Sequence, residues 1–150
     1  MSDDDTTLRI ERVIDAPREA VFAAWTTADA MEEWYRDGPD YEARVIELDV
    51  RVGGGYRIEW GPAGEPPYRE TGVYLEVVAP SRLVITETLE GPGDAGWRDT
   101  HLTVELEDHA GKTLLKLTHE LPTREHRDGA AGGWPGFLDR IERYVTRRRS

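Results

Sequence analysis

Cysteine is absent from the 150-residue sequence. The chain therefore forms no disulfide, thiolate metal site or iron–sulfur cluster, and it offers no Cys nucleophile. Serine stands only at Ser2, Ser81 and Ser150, and the Ala-Pro-Ser-Arg context of Ser81 is typical of a turn rather than of a nucleophile elbow. Lysine stands only at Lys112 and Lys116, so a Schiff-base mechanism has one weak candidate, since Lys112 lies in a Gly-Lys turn. These absences argue against thiol, serine and Schiff-base enzymes.

Positive charge is also scarce. The sequence has 19 lysines and arginines against 30 aspartates and glutamates, which gives a formal net charge of −11. Nucleic-acid binding needs a basic face, so this balance opposes it. No apolar run approaches the length of a membrane span, and the first residues, MSDDDTTLRI, are acidic where a signal peptide would be basic and then apolar. We therefore expect a cytoplasmic protein with neither nucleic acid nor a membrane as partner.

Metal and phosphate sites have little support in the sequence. No two histidines are spaced to share one helical face as a metal pair; the four are His101, His109, His119 and His126. The glycine triplet at residues 53–55 is outside the context of a phosphate-binding loop, and it predicts a bulge or a hairpin turn. We accordingly predict neither a metal nor another cofactor.

Hydrophobic periodicity predicts a single α+β domain. A first strand over 8–14 precedes a helix with Pro17 at its first position and a short helix in which Asp29 and Glu32 are spaced like a capping box. A period of two then predicts six more strands, over 41–50, 56–60, 70–78, 83–89, 100–107 and 113–120. A long amphipathic helix after the glycines at 132–133 completes the order β-α-α-β-β-β-β-β-β-α.

The alternation within the strands predicts an antiparallel sheet with one covered face. In the strand over 70–78 the apolar row is Val73, Leu75 and Val77, which places Tyr74 and Glu76 on the outer face. Such a sheet buries most when it curves around the C-terminal helix, and we expect an elongated cavity between the two. The five Trp and six Tyr, against two Phe, suit the wall of a pocket because they carry a polar group on an apolar body.

Several stretches of the sequence resemble one known superfamily. They are RVIDAPREAVFAAW (12–25) with Trp34, DVRVGGGYR (49–57), GVYLEVVAPSRLV (72–84), GKTLLKLTH (111–119), and Gly133-Trp134 with Leu138. Their order and spacing resemble the START-like helix-grip (SRPBCC) superfamily, and within it the group named for the C-terminal domain of the activator of Hsp90 ATPase. The resemblance covers roughly residues 8–146 and implies a curved antiparallel sheet wrapped around a long C-terminal helix. Residues 1–7 are then expected to be a disordered acidic start, and residues 147–150 a basic tail.

The resemblance implies a cavity that binds a hydrophobic or amphipathic small molecule, with no defined reaction. The residues predicted to line it are Trp34, Tyr56, Trp60, Leu75, His119, Trp134, Phe137 and Leu138. Among them His119 is the inward polar group able to orient a ligand, and the alternative for it is a core histidine bonded to a neighbour. No residue is assigned a catalytic role.

Two other functions stay open. A cyclase, dehydratase or hydrolase in the same cavity needs an acid or base with a perturbed pKa, and His119 is its best candidate, ahead of Glu87 and Glu76. A chaperone modulator of the Hsp90 type is suggested by the family's name alone, and no linear feature demands a chaperone partner. An exposed edge strand could also pair two copies of the chain as a homodimer.

Overall fold

Side chains that alternate between buried and exposed build the strands of this protein, as the period of two predicts. The computed structural model describes residues 5–93 and 96–147. Its elements are β1 (Thr7–Ile14), α1 (Arg18–Thr26), α2 (Ala28–Trp34), β2 (Tyr41–Leu48), β3 (Gly55–Pro62), β4 (Tyr68–Val78), β5 (Arg82–Glu90), β6 (Gly96–His109), β7 (Lys112–Glu120) and α3 (Arg124–Arg147). The strands form one antiparallel sheet in the order β1-β7-β6-β5-β4-β3-β2. The predicted α+β helix-grip fold and its element order are confirmed.

The long helix α3 packs its apolar stripe against the curved sheet. Leu138 and Ile141 of α3 are fully buried, and Val145 extends the stripe by one turn. The sheet contributes fully or almost fully buried side chains from several strands: Ile58, Leu102, Leu115 and Leu117. Burial of each such side chain contributes about 1.5–3 kcal/mol, so this contact fixes the helix on the sheet.

The first two glycines of the triplet lie in the connection from β2 to β3, where the sequence predicts a bulge or turn, and Gly55 begins β3. Gly53 has a φ of +86°, a conformation that side chains disfavour. A Cβ at Gly54 would collide with the backbone of Asp49. The predicted turn is therefore confirmed.

The face assignment of β4 is wrong over residues 70–75 and right for Glu76 and Val77. Tyr74 is buried with 3% of its surface exposed, whereas Leu75 on the opposite face is 41% exposed. The inward row is Glu70, Gly72 and Tyr74. Only glycine fits at position 72, because a Cβ there would lie 2.5 Å from the ring of Tyr56. Up to Tyr74 the row with the polar residues therefore faces inward, while Val73 and Leu75 face solvent. A bulge between Tyr74 and Glu76 then restores the predicted faces, since Glu76 is exposed and Val77 packs against the core.

Helix α3 begins at Arg124, well before the start that the glycines at 132–133 predict. The hydroxyl of Thr123 caps it by accepting the backbone N–H of His126 at 3.0 Å. The interior glycines are tolerated because the buried Ala130 and Trp134 on either side hold the helix to the core. The predicted start is wrong, since tertiary packing overrides the low helix propensity of glycine.

The first two helices also begin differently from the prediction. Pro17 is the N-cap residue of α1 rather than its first helical residue. Helix α2 has Thr27 as its N-cap residue, so Asp29 and Glu32 form no capping box. The Glu32 carboxylate instead accepts the backbone N–H of Val45 at 2.9 Å and thereby ties α2 to β2.

Removal of the α3 cap is expected to destabilise the protein modestly. Thr123→Ala should lower the free energy of unfolding by about 1 kcal/mol, because a first-turn N–H loses its acceptor. Urea denaturation followed by tryptophan fluorescence measures the change. Thr123→Ser keeps the hydroxyl and should retain the wild-type stability, whereas an equal loss in both variants would assign the effect to the threonine methyl.

The first described residues contact the chain around the start of α3. The carboxylate of Asp5 lies 3.1 Å from the guanidinium of Arg124, and the carbonyl of Thr6 accepts the N–H of Leu121 at 2.9 Å. The disorder expected for residues 1–7 stays a prediction, and residues 1–4 and 148–150 lie outside the described part of the chain. Among the described residues, no helix is both long and apolar enough to cross a membrane.

Candidate functional site

A cavity of about 230 Å³ lies between α3 and the strands β3 to β6. The C-terminal end of α2 closes one side of it. Most of its lining side chains are aromatic, and two are carboxylic acids; the full set is Trp34, Tyr35, Trp60, Tyr68, Glu70, Glu87, Leu89, Trp97, Gly129, Ala130, Gly133, Trp134 and Phe137. The cavity is thus an aromatic chamber with a small polar floor, formed by Glu70 and Glu87.

Helix α3 supplies one wall through residues at helical spacing. Ala130, Trp134 and Phe137 recur on one face, with Gly129 and Gly133 beside them. Apart from the adjacent backbone of the helix itself, no atom of the described residues lies within 4 Å of the place where a Cβ of either glycine would stand. The glycines that weaken the helix therefore leave space along the cavity.

The aromatic rings of the wall pack on one another. Trp60 stacks on Tyr68 with ring centroids 4.7 Å apart. Phe137 meets the ring of Trp60 edge-on at 5.4 Å and the ring of Trp34 edge-on at 6.0 Å. Such edge-to-face and stacked contacts are favourable geometries for aromatic pairs, so the wall is held in shape without a ligand.

Glu70 of β4 lies at the floor with 6% of its surface exposed. Two hydroxyls donate to it, that of Tyr35 at 3.1 Å from each oxygen and that of Tyr56 at 2.9 Å from Oε2. Burial, and after it the charge of Glu87, raises the pKa of Glu70 well above its usual range. The environment therefore favours the neutral, protonated carboxyl.

Glu87 of β5 lies beside it with 4% of its surface exposed. The indole N–H of Trp97 donates to Oε1 at 2.7 Å, and Nε2 of His119 lies 3.0 Å from the same oxygen. Burial acts to raise the pKa of Glu87, but the hydrogen bonds that it accepts from His119 and Trp97 outweigh burial and lower the pKa. A hydrogen bond from Glu70 acts in the same direction, so Glu87 is the ionised member of the pair.

His119 of β7 is fully buried behind the floor. The indole N–H of Trp134 lies 3.2 Å from its Nδ1, and because an indole can only donate, Nδ1 must accept. The ring proton is therefore on Nε2 and the imidazole is neutral. Nε2 lies 3.0 Å from both Glu87 Oε1 and Thr100 Oγ1, whose own hydroxyl donates to the backbone carbonyl of Glu87 at 2.9 Å. His119 thus holds Glu87 in place.

The structure brings half of the predicted lining residues together. Those in the cavity wall are Trp34, Trp60, Trp134 and Phe137. Tyr56 and His119 lie behind the floor, where they bond to its two carboxyls. Neither of the remaining two lines the cavity, because Leu138 is fully buried in the core and Leu75 lies on the outer surface of the sheet.

Sequence reasoning misses several residues of the floor. Tyr35, Glu70 and Trp97 are absent from the predicted set, and Glu87 enters only as a secondary candidate base. The sequence does indicate that Glu87 is unusual, because this charged residue interrupts the apolar row that includes Leu83 on β5. No comparable signal identifies Glu70, since the other row of its strand is more apolar.

The floor offers proton chemistry rather than metal ligation. Within residues 5–93 and 96–147, no three His, Asp or Glu side chains gather as a metal-binding group. Both carboxyls are engaged by hydroxyl, indole and imidazole donors. The site therefore combines one neutral acid, one carboxylate and an aromatic wall.

Comparisons with known proteins agree with this architecture. A model of the family described as Activator of Hsp90 ATPase homolog 1-like protein matches residues 15–146. The crystal structure of a Chromobacterium violaceum protein has a TM-score of 0.81 at 28% identity, over 93% of this chain and 96% of that one. An AHSA1-like protein from Aeromonas hydrophila, solved by NMR, has a TM-score of 0.80 at 26% identity, over 95% and 93%.

A Mycobacterium smegmatis protein shares the fold at lower identity. Its crystal structure has a TM-score of 0.81 at 19% identity, over 98% of this chain and 95% of that one. None of the curated proteins matches the sequence.

Proposed function

The chain belongs to the family of Activator of Hsp90 ATPase homolog 1-like proteins, and we propose that it binds a hydrophobic or amphipathic small molecule in the cavity between the sheet and α3. The observation that carries the proposal is the aromatic chamber of about 230 Å³ with two buried carboxyls at its floor. A mainly apolar wall with a few convergent polar groups is typical of small-molecule sites.

The size of the chamber limits the ligand. Sites for drug-sized molecules span about 300–1,000 Å³, so this cavity suits a smaller molecule with about one or two rings. The indole N–H of Trp60, a wall residue, is buried without a hydrogen-bond partner among the described residues.

Native mass spectrometry of the freshly purified protein tests the proposal directly. We expect a bound species of defined mass that is released on denaturation and can be identified. A purified protein without bound mass is then titrated with 2-phenylethanol while NMR follows the indole N–H signals. Shifts at the wall tryptophans are expected; their absence, together with an apo mass, would contradict the proposed function.

Truncation of the wall should weaken binding of this probe. Phe137→Ala removes a ring that contacts both Trp34 and Trp60, and the affinity for 2-phenylethanol is expected to fall by about tenfold. The matched control is Val73→Ala, because Val73 is exposed on the outer face of the sheet. Calorimetric titration measures both variants, and an equal effect of the two would place the binding site elsewhere.

General acid–base catalysis in the same cavity is a second candidate. One observation favours it: Glu70 and Glu87 have pKa values displaced in opposite directions, the arrangement that separates an acid from a base. Glu87 would take a proton from a carbon next to a carbonyl group, and Glu70 would donate a hydrogen bond to the carbonyl oxygen as charge develops there. His119 then acts as a positioning residue for Glu87.

Hydrogen–deuterium exchange tests this candidate. The protein should accelerate exchange of the C–H bonds beside the carbonyl of 4-phenyl-2-butanone in deuterated buffer, as NMR detects. Glu87→Gln should abolish the acceleration. Exchange at the rate of buffer alone in the wild-type protein would eliminate the candidate.

The family's description names a chaperone activator, but among the described residues no surface feature points to that partner.

A further inference from the structure

The floor of the cavity carries a negative charge that no neighbouring cation balances. Glu87 is the carboxyl with the lowered pKa, and its Oε1 accepts the indole N–H of Trp97 at 2.7 Å. Among the residues that the structure describes, His119 is the sole basic side chain within ion-pair distance of Glu87. That imidazole is neutral, because its Nδ1 accepts the N–H of Trp134. The donors at Glu87 are therefore neutral groups.

Arg140, whose guanidinium lies over a ring of the wall, has partners away from Glu87. The guanidinium of Arg140 lies 4.8 Å from the ring centroid of Phe137. It donates to the carbonyl of Trp34 at 2.8 Å and lies 3.3 Å from the carboxylate of Asp37. The positive charge of Arg140 is thus paired with Asp37 near the end of α2 and does not compensate the charge of Glu87.

The wall that surrounds this charge consists of aromatic rings. Trp97 bonds directly to Glu87, and Trp34, Trp60 and Trp134 line the same chamber. A cation within about 6 Å of an indole face is attracted by the ring, and the attraction grows when water is excluded. A carboxylate inside a cage of aromatic rings is a complementary environment for an organic cation.

We propose that the cavity selects small amines, with an aromatic or apolar body against the wall and one ammonium group against Glu87. This specificity rests on the proposed binding function. An ammonium group brings three donors and a compensating charge to a carboxylate that is otherwise buried at a cost. A neutral ligand leaves that charge unpaired, and an anionic one is repelled by it. The net charge of −11 also raises the local concentration of cations around the protein.

A matched series of ligands on the unmodified protein tests the selectivity. The three probes are 2-phenylethylamine, 2-phenylethanol and 3-phenylpropanoate, which share a phenyl body and differ in charge. Calorimetry at pH 7 should show the amine binding at least about tenfold more tightly than the alcohol, with the propanoate weakest. Because the series uses the native chain, its result does not depend on any variant folding.

Two variants locate the charge responsible. Glu87→Gln keeps the shape of the side chain, and it should weaken amine binding by about tenfold and reduce the preference for the amine over the alcohol to less than about twofold. Glu42→Gln removes an exposed carboxylate of β2 and controls for general attraction to an acidic surface. It should leave all three affinities unchanged.

The outcomes separate the inference from the function on which it rests. Equal affinity for the amine and the alcohol, or amine binding that survives Glu87→Gln, would overturn the amine selectivity and leave small-molecule binding intact. Failure of all three probes, together with an apo mass, would contradict both. Equal losses in Glu87→Gln and Glu42→Gln would assign the attraction to the surface and overturn the site.

Discussion

Replacement of Trp134 by alanine is expected to lower the free energy of unfolding by about 3–5 kcal/mol, a large part of the stability of a domain of this size. Trp134 is 8% exposed and has its ring centroid 5.9 Å from that of Trp25 and 5.8 Å from that of Phe137. The truncation would open a void between α3 and the sheet and would leave Nδ1 of His119 without its donor. Urea denaturation measures the loss.

Trp134→Phe separates the packing of the ring from its hydrogen bond. It keeps an aromatic ring and should lose less stability than Trp134→Ala. Without the indole N–H, the proton of His119 is no longer confined to Nε2, and nitrogen NMR of the imidazole should show a change in tautomer. If the tautomer is the same in both proteins, Trp134 does not set it.

The same alanine variant probes the cavity wall. Binding of 2-phenylethanol should be abolished in Trp134→Ala, because the wall loses the side chain that closes it from the α3 side. Unchanged affinity in this variant would remove Trp134 from the binding site. Because the fold is also weakened, the titration is made at a temperature where NMR shows the native sheet intact.

The parts of the fold that were predictable are those in which burial and hydrophobicity coincide. On β7 the buried row contains Thr113, Leu115, Leu117 and His119, as the alternation predicts. Helix α3 shows the opposite case at its start, where glycines argue against a helix and the anchoring of Ala130 overrides them. The helix propensity of single residues contributes little to stability, so tertiary packing decides where the helix begins.

The candidate site was less predictable because it reverses the relation between polarity and burial. The inward row of β4 presents Glu70 and Tyr74 to the interior, while the apolar Val73 and Leu75 face solvent. A period of two identifies two faces, and the rule that the apolar face is buried chooses between them. Functional sites break that rule, since they bury groups that folding alone would leave in water.

The aromatic wall was predicted better than the floor for the same reason. Trp34, Trp60 and Phe137 are apolar enough to follow the burial rule, and each lies where hydrophobic periodicity places it. Glu70 owes its burial to partners that are distant in sequence, the hydroxyls of Tyr35 and Tyr56. Such long-range hydrogen bonding leaves no periodic trace along the chain.

Glu70→Gln is expected to remove a pH dependence of stability that the buried acid imposes. Burial, with the charge of Glu87, raises the pKa of Glu70 in the folded protein well above its ordinary value of 4.5. Between these two values folding takes up a proton, so the free energy of unfolding falls as the pH rises, by about 1.4 kcal/mol per pH unit. The glutamine side chain of the variant has no such proton and keeps an acceptor for the hydroxyls of Tyr35 and Tyr56.

The measurement is the unfolding free energy of both proteins in urea at each unit from pH 5 to pH 8. The stability of Glu70→Gln relative to the wild type should rise with pH and level off above the pKa of folded Glu70. Glu87 does not interfere in this window, because its lowered pKa makes its contribution disappear only as the pH falls below about 4.5. The exposed Glu42→Gln serves as the matched control. A constant difference between Glu70→Gln and the wild type across this range would show that Glu70 is ionised in the folded protein and would remove the neutral acid from the floor of the cavity.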